Sequence, residues 1–163
     1  AIYDADLTID DVNPDYVVVG ETRNYNYESI LKAVKLVLGG ARLIGTNSDM
    51  TAPSENGIIP ACRALMSPIE LATGKSAYYI GKPNPLMMRT GISLLGCSAA
   101  DAAIVGDRMD TDIISGIESE IDTVLVLSGV SNKDTPRSFA YRPKYVLNGV
   151  GDIVNGQNSD ISL

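Results

Sequence analysis

Residues 103–113 read Ala-Ile-Val-Gly-Asp-Arg-Met-Asp-Thr-Asp-Ile, and this stretch decides the fold. An apolar run ends in Gly106-Asp107, and another acid, Asp112, follows five residues later where a helical pattern begins. Open α/β sheets bind their ligands at the carboxyl ends of parallel strands, so we expect both acids at such an edge. Carboxylates there suit a hard cation such as Mg²⁺. The alternative is that the second acid only caps the helix.

A lysine follows an earlier strand-like run. Residues 77–80 are mostly apolar and aromatic, and they are followed by Gly81-Lys82-Pro83. An ammonium group can bind a phosphate as a point charge, which makes Lys82 a candidate phosphate ligand. The alternative is an ordinary surface lysine. Because the lysine and the two acids occur in this order after strand-like runs, a phosphate-handling site is favoured.

Short apolar runs alternate with helical patterns along the chain. The predicted strands cover residues 16–19, 42–44, 77–80, 102–105, 123–127 and 145–147, and the predicted helices cover 27–38, 60–73, 85–95 and 111–119. Strand–helix–strand order with apolar strands indicates parallel sheets with helices on both faces, an α/β fold. Gly74-Lys75-Ser76 is the predicted boundary between two series of elements, and residues 155–163 are predicted to be a flexible tail.

Composition excludes several classes of function. The formal net charge is −7, which argues against nucleic acid as a partner. The chain contains no histidine, so a serine–histidine hydrolase is excluded. We find no apolar tract of about 18 residues that would span a membrane, and no signal-peptide pattern. Cys62 and Cys97 stand singly in apolar surroundings, which predicts reduced, buried thiols and a cytoplasmic location.

Five stretches together resemble the NagD-like phosphatases of the haloacid dehalogenase (HAD) superfamily. They are DVNPDYVVVGET (11–22), TNSD (46–49), GKPNP (81–85), VGDRMDTD (105–112) and LVLSG (125–129). The resemblance implies a Rossmann-like core that carries the chemistry and an α/β cap domain that selects the substrate. By this resemblance, residues 1–74 look like most of the cap, and residues 75–154 look like the C-terminal half of a partial HAD core.

The resemblance also implies an activity. Enzymes of this family hydrolyse small phosphorylated metabolites, such as sugar phosphates, nucleotides or phosphoglycolate, with Mg²⁺ and through an aspartyl-phosphate intermediate. It implies that Lys82 is the catalytic lysine that binds phosphate, and that Asp107 and Asp112 form the metal site. Arg108 is a candidate at the edge of the substrate site. A polar loop resembles the part of the cap that faces the substrate, with Thr46, Asn47 and Asp49 as its binding residues; a local turn is the alternative.

The resemblance does not locate the nucleophile of the family in this chain. This nucleophile is the first aspartate of an Asp-x-Asp motif, and Asp4-Ala5-Asp6 matches that pattern. Only three residues precede Asp4, too few for the strand that must hold a nucleophile rigidly, so we expect solvated turn residues there. Two alternatives stay open. In the first, the chain acts only as an inactive packing or binding module. In the second, another chain, as in a homo-oligomer, supplies the missing half-core.

Overall fold

A computed structural model describes residues 3–154 of the chain. The chain divides into two compact units, Ala1–Ile80 and Gly81–Leu163. Each unit contains parallel strands and helices, which confirms the predicted α/β class. The predicted flexible tail, residues 155–163, lies outside the described residues. Within residues 3–154, no helix is long and apolar enough to cross a membrane.

The first unit contains a three-stranded parallel sheet, two helices and a separate hairpin. In chain order its elements are β1 (Tyr16–Val19), α1 (Tyr27–Leu38), β2 (Arg42–Gly45), β3 (Thr51–Ser54), β4 (Gly57–Pro60), α2 (Cys62–Thr73) and β5 (Tyr78–Tyr79). The sheet has the order β1-β2-β5, and both pairs of neighbours are parallel. A short 3₁₀ turn, Tyr3–Ala5, precedes these elements.

The core of the first unit forms because alternate strand residues face the helices. Val17 and Leu43 are register partners on neighbouring strands, and both are buried in one cluster with Val37 of α1 and Met66 of α2. The Asn26 side chain accepts a hydrogen bond from the Ser29 N–H, which caps α1 as a helix start requires. The apolar period of the sequence therefore located this sheet and α1 correctly.

The hairpin of β3 and β4 was missed by the sequence analysis, and it moves the start of the second helix. Thr51 pairs with Pro60 at the open end of the hairpin. Pro60 therefore ends a strand, and α2 begins at Cys62, so the predicted start of that helix at Pro60 was wrong. The end of the helix is as predicted, since Gly74 follows Thr73 in the left-handed conformation.

The second unit contains another three-stranded parallel sheet, in the order β6-β7-β8. Its elements are α3 (Pro85–Leu95), β6 (Ala103–Gly106), α4 (Ile114–Glu118), β7 (Asp122–Val126) and β8 (Tyr145–Leu147). A π-helical turn, Met109–Ile113, leads from β6 into α4, where the sequence predicted one continuous helix. Short 3₁₀ turns complete the unit at Ala99–Asp101, Thr135–Ser138 and Val150–Ile153.

The π-helical turn is held by core packing on one side. Met109 and Ile113 are buried in one cluster with Leu125 of β7 and Val146 of β8. The Tyr141 hydroxyl donates to the Met109 carbonyl at 2.9 Å. Burial, with the nearby Asp110 carboxylate, raises the pKa of Tyr141, so its hydroxyl keeps this proton at neutral pH. The core contacts therefore hold in place the turn that carries Asp112 and follows Asp107.

The strand before Lys82 belongs to the first unit. Ile44 and Gly45 of β2 pair with Tyr78 and Tyr79 of β5, and the Ile80 N–H donates to the Gly45 carbonyl at 3.0 Å. The division between the compact units consequently falls after Ile80 and not at Gly74. Hydrogen bonding between strands distant in sequence sets this position, and local composition does not report it. The cap and core roles assigned to the two series stay predictions.

Candidate active site

Lys82 begins the second unit in a turn that is fixed by the start of a helix. The Asn84 N–H donates to the Gly81 carbonyl at 3.0 Å. The Asn84 side chain in turn accepts from the Leu86 N–H at 2.9 Å, and Pro85 occupies the first turn of α3. This is the ordinary chemistry of a helix start, in which a capping side chain satisfies an amide and proline costs no hydrogen bond. The turn leaves the Lys82 side chain half-buried.

One carboxylate brings the predicted site residues together. Asp112 Oδ1 accepts from the Lys82 ammonium, and the two groups form an ion pair. Asp112 Oδ2 accepts from the backbone N–H of Asp107 at 3.1 Å and of Arg108 at 3.0 Å. Lys82 and the backbone of Asp107 therefore contact opposite oxygens of the same group. Lys82 and Asp107 lie 30 and 5 positions before Asp112 in the sequence, and both contact its carboxylate.

Asp112 is the most buried charged group of this cluster. The residue is 3% exposed, whereas the Lys82 side chain is 37% exposed. A buried carboxylate requires a charge partner and hydrogen bonds, and Asp112 has both. Because protein donors occupy both of its oxygens, this geometry suits a residue that positions Lys82 and the Asp107 loop. Direct metal binding by Asp112 stays a prediction. Its side chain does not cap the helix, since it reaches back to residues 107 and 108.

A glycine makes room for the Asp112 carboxylate. A Cβ atom built on Gly106 would lie 2.2 Å from Asp112 Cγ and 2.4 Å from Oδ2. Real Cβ contacts are not this short, so no larger residue fits at 106 while the carboxylate keeps this place. The glycine of the Gly106-Asp107 pair, which the sequence analysis used only as a strand end, thus allows the ion pair to form.

Asp107 is held by the turn that follows β7. Its Oδ2 accepts from the Val130 N–H at 2.7 Å, and its carbonyl accepts from the Ser131 N–H at 3.1 Å. Among residues 3–154, no protein donor is found at its other carboxylate oxygen, Oδ1. Asp107 therefore stands at the carboxyl end of β6 with one oxygen fixed by the protein, which is the sheet edge that the sequence predicted.

The Arg108 side chain pairs with a residue that is close to it in sequence, Asp110. Its guanidinium donates to both oxygens of Asp110, at 3.1 and 2.8 Å. The Arg108 side chain is 21% exposed and that of Asp110 is 53% exposed. A two-point pair of this kind orients the guanidinium plane. Substrate contact by Arg108 stays a prediction, and it would require this group to reach a ligand while paired or to exchange partners.

The polar loop of the first unit, residues 46–49, follows β2 and is bonded within its own unit. The Asn47 side chain donates to Glu21 Oε1 at 3.0 Å and accepts from the Asp49 N–H at 3.1 Å. The Thr46 N–H donates to the Val19 carbonyl at 3.1 Å. The second Asn47 contact is the local turn that the sequence analysis named as the alternative. The substrate-binding role of Thr46, Asn47 and Asp49 is not tested by these contacts and stays a prediction.

The Asp4-Ala5-Asp6 stretch lies outside any strand. Asp4 is in the 3₁₀ turn Tyr3–Ala5, and Asp6 has a φ of +55°, which is a turn conformation. Both residues are exposed. The turn placement agrees with the expectation for these residues and gives no support to a nucleophile at Asp4.

The residues at the β6 edge can supply oxygen ligands for a hard cation. The described part of the chain contains no cluster of three or more His, Cys, Asp or Glu residues that could enclose a metal. Mg²⁺ does not need one, because it keeps several waters and is bound through one or two carboxylates plus phosphate oxygens. Asp107 Oδ1 fits that requirement. The site consequently fits Mg²⁺ as an open site, with Asp107 as the carboxylate that the chain offers.

Comparisons with known proteins show which enzymes the chain is similar to. A HAD-hydrolase-like family model matches residues 79–153. A dihydroxyacetone phosphatase from Corynebacterium glutamicum (strain R) is 46% identical over 155 residues, which cover 95% of this chain and 56% of the relative. The ribonucleotide monophosphatase NagD of Escherichia coli (strain K12) is 42% identical over 152 residues, covering 93% of this chain and 60% of the relative.

Solved structures give the same result. NagD from Escherichia coli K-12 superposes with a TM-score of 0.84 at 41% identity, covering 93% of this chain and 59% of that one. A 4-nitrophenylphosphatase from Thermotoga maritima superposes with a TM-score of 0.88 at 32% identity, covering 94% and 60%. Over the length that it spans, the chain is similar to the NagD-like phosphatases of the HAD superfamily. It spans somewhat more than half the length of the relatives it matches.

Sequence reasoning missed the residues that hold the two acids. Two glycines, Gly106 and Gly129, make room for the carboxylates because they lack a Cβ, and Val130 donates its backbone N–H. No pattern of side chains in the sequence reveals such contributions. Val130 lies 23 positions from Asp107, so no local spacing points to the contact. The signal that was available is topological, because β6 and β7 are parallel neighbours and their following loops must meet at one edge.

Proposed function

We propose that the protein to which this chain belongs is a Mg²⁺-dependent phosphatase of small phosphorylated metabolites, acting through an aspartyl-phosphate intermediate. The observation that carries the proposal is the convergence of Lys82 and Asp107 on the Asp112 carboxylate. A phosphoryl group is dianionic and needs positive charge from two sides. An ammonium and a carboxylate-bound cation, held on one rigid edge, provide that arrangement.

In this proposal Lys82 binds the phosphate and offsets the negative charge of its oxygens. Asp112 keeps the ammonium in place, since a long lysine side chain would otherwise lose rotamer freedom on binding. Positioning of this kind matters because phosphoryl transfer is catalysed mainly by orientation and electrostatic stabilisation. The part of the Lys82 side chain that is exposed gives access to a ligand.

Asp107 would hold Mg²⁺ through Oδ1. When bound, the cation supplies positive charge next to the phosphate oxygens. The turn after β7 prevents the Asp107 carboxylate from rotating, because the Val130 N–H holds the other oxygen. Asp107 would thus contribute one preset oxygen to the metal, and Asp112 stays a further candidate ligand. Water, phosphate and the nucleophile would supply the remaining ligands.

The substrate class follows from the relatives and is part of the proposal. The names of the relatives refer to dihydroxyacetone phosphate, ribonucleotide monophosphates and 4-nitrophenyl phosphate as substrates. These share a phosphomonoester on a small organic group. We assign substrate selection to the cap loop with Thr46, Asn47 and Asp49, and to Arg108. The two cysteines are free thiols, which suits a reducing compartment such as the cytoplasm.

A further half-core, carrying the nucleophile, would complete the site. In the second unit, no residue of α3 is buried against the described residues, and Leu94 and Leu95 are 84% and 74% exposed. β6 pairs with β7 on one side and with no described strand on the other. An unpaired edge beside exposed leucines is a surface on which a strand and helix would pack. We propose that this partner is the nucleophile-bearing segment, in the same protein or in another copy.

The test is hydrolysis of p-nitrophenyl phosphate with Mg²⁺. The 163-residue chain and a longer chain that carries the upstream region of a relative should be compared side by side. We expect turnover in the longer chain and none in the short one. Turnover by the short chain that vanishes in Asp4→Asn would contradict the assignment of the nucleophile to a further segment. The absence of turnover in both chains, with Mg²⁺ at saturating concentration, would contradict the activity itself.

A further inference from the structure

A second glycine faces a carboxylate, and it lies on the loop that holds Asp107. A Cβ atom built on Gly129 would lie 2.0 Å from Asp107 Oδ2 and 2.5 Å from Cγ. The contact is shorter than the one at Gly106. Any side chain at position 129 would therefore compete with the Asp107 carboxylate for the same volume.

Backbone conformation gives no separate reason for glycine at position 129. The glycines with φ in the left-handed region are Gly40, Gly57, Gly74 and Gly96, and Gly129 is not among them. An alanine could adopt the φ of Gly129 without strain. The atoms that a Cβ would meet here belong to the Asp107 side chain, with its Oδ2, Cγ and Cβ at 2.0, 2.5 and 2.6 Å, so the glycine reports on the position of Asp107.

The backbone amide of the next residue, Val130, also holds the Asp107 carboxylate. The Val130 N–H donates to Oδ2, the same oxygen that lies nearest to the missing Cβ, at 2.7 Å. A carboxylate with one oxygen held by a backbone amide presents its second oxygen in a fixed direction. A metal ligand gains affinity when its orientation is fixed in advance, because less freedom is lost on binding.

We propose that Gly129 is a positioning residue for the metal site. Its missing side chain lets the Asp107 carboxylate lie against the turn after β7, where the Val130 N–H takes Oδ2 and leaves Oδ1 as the one oxygen offered to a divalent cation. This inference rests on the proposed function, in which Asp107 is the metal-binding carboxylate. It adds a residue of the neighbouring loop that sets the cation affinity without touching the cation.

The experiment measures cation binding directly and needs no turnover. The ¹⁵N-labelled chain is titrated with Mn²⁺ as a paramagnetic substitute for Mg²⁺, and broadening of the Asp107 and Val130 amide signals is followed. In Gly129→Ala, the carboxylate is displaced, and we expect the Mn²⁺ concentration at half-effect to rise by about 10- to 100-fold, as for residues that orient metal ligands. We also expect the Val130 amide of the metal-free variant to lose protection from hydrogen exchange.

Gly91→Ala is the matched control. A Cβ atom built on Gly91, within α3, meets nothing within 4 Å, and its φ is not in the left-handed region. This variant should bind Mn²⁺ like the unmodified chain. Equal Mn²⁺ binding by Gly129→Ala and Gly91→Ala would overturn the inference.

Two further variants separate this inference from the proposed function. If Asp107→Asn binds Mn²⁺ as the unmodified chain does, the metal role of Asp107 fails, and the inference fails with it. If Gly129→Ala is too unstable for titration, its destabilisation is compared in the Asp107→Gly background. There the whole Asp107 side chain is gone, including the Cβ that lies 2.6 Å from the built atom. We expect the cost of the alanine at 129 to disappear there. An equal cost in both backgrounds would show that the glycine accommodates something other than this carboxylate.

Discussion

The two compact units place polar residues after their strands, but they use them in different ways. In the first unit, the loop after β2 has a local bond from the Asp49 N–H to Asn47. It also contacts distant segments, from Asn47 to Glu21, from the Thr46 N–H to Val19 and from the Arg63 N–H to the Asp49 carbonyl. In the second unit, the loop after β6 receives contacts from residues 30 positions before Asp112 and 23 positions after Asp107. Distant segments contact both loops, but in the second unit they meet at a buried carboxylate, Asp112, which forms an ion pair with Lys82.

This difference separates a structural feature from a candidate site of chemistry. The Asn47 side chain forms its hydrogen bonds in an exposed or half-buried loop, so its replacement should disturb the sheet little. Asp112 instead joins Lys82 to the backbone of Asp107, and it is nearly inaccessible to water. Substitutions of the residues that meet at Asp112 should therefore affect activity and stability together, whereas those in the loop after β2 should affect mainly affinity.

The largest expected effect comes from removing the ammonium. Lys82→Met deletes the charge and leaves an unbranched side chain that is one atom shorter. In a chain that hydrolyses p-nitrophenyl phosphate, we expect kcat to fall by about 10²–10³-fold, the usual loss for one electrostatic contact at a transition state. Steady-state kinetics at saturating Mg²⁺ measures it. Lys133→Met, an exposed lysine of the same unit, is the control and should leave kcat unchanged.

The next effect is on stability. Asp112→Asn removes the charge partner of Lys82 and places an amide N–H₂ where an acceptor is needed. We expect the free energy of unfolding to fall by about 1–3 kcal/mol, the cost of leaving a buried group unsatisfied. Urea unfolding followed by circular dichroism measures the change. Asp110→Asn, which breaks only the more exposed pair with Arg108, should cost less than about 1 kcal/mol. Equal losses in the two variants would contradict the central place of Asp112.

Most of the regular elements could be predicted because their apolar residues repeat with the right period. Val17 and Leu43 mark buried strands, and the capping residues of α1 and α3 mark helix starts. The hairpin of β3 and β4 was missed because its strand residues are nearly all exposed and include Pro53 and Pro60. The Asn56-Gly57 pair at its turn is a recognised hairpin signal and could have revealed it.

The site was only partly predictable, and the reason lies in its backbone contacts. Lys82, Asp107 and Asp112 carry chemistry in their side chains, so motif order and strand ends identified them. Gly129 contributes only the lack of a side chain, and Val130 contributes a backbone N–H. A backbone N–H is present in every residue except proline, so it leaves no signal in the sequence. The π-helical turn of Met109–Ile113, which directs Asp112 back to the strand end, also has no periodic signature. Both features depend on packing between segments that are far apart in sequence.

A smaller effect is expected in the first unit. Asn47→Ala removes the local turn and the contact with Glu21, both at an exposed or half-buried loop. We expect a loss of about 1 kcal/mol or less in unfolding free energy. If the loop selects substrates, KM for p-nitrophenyl phosphate should change by a few-fold while kcat holds. A fall in kcat as large as that of Lys82→Met would contradict the expectation that this loop affects affinity and not the chemical step.

The smallest expected effect is a dependence of stability on alkaline pH in the first unit. Burial, together with the Glu70 carboxylate, raises the pKa of Tyr79 from 10.0 to about 12. The folded chain holds this proton more tightly than the unfolded chain, so the contribution to stability is complete below pH 10 and is lost as pH rises through about 12.

Unfolding by urea at pH 9 and pH 11.5 tests this shift in Tyr79→Phe. Since phenylalanine has no proton to lose, the variant should lose less stability over this interval than the unmodified chain. Tyr78→Phe, its exposed neighbour on β5, is the matched control. The same decline in both variants would mean that the Tyr79 proton does not contribute.

The most direct test of the account asks whether a cation bound at Asp107 lies beside the Lys82 ammonium. Mn²⁺ is added to the chain with ¹³C-labelled lysine, and broadening of the Lys82 side-chain methylene signals is compared with that of Lys133. The account predicts strong broadening at Lys82 in the unmodified chain, and its loss in Asp107→Asn. Broadening of the Asp107 amide with an unaffected Lys82 signal would contradict the account, because cation and ammonium could not then hold one phosphoryl group.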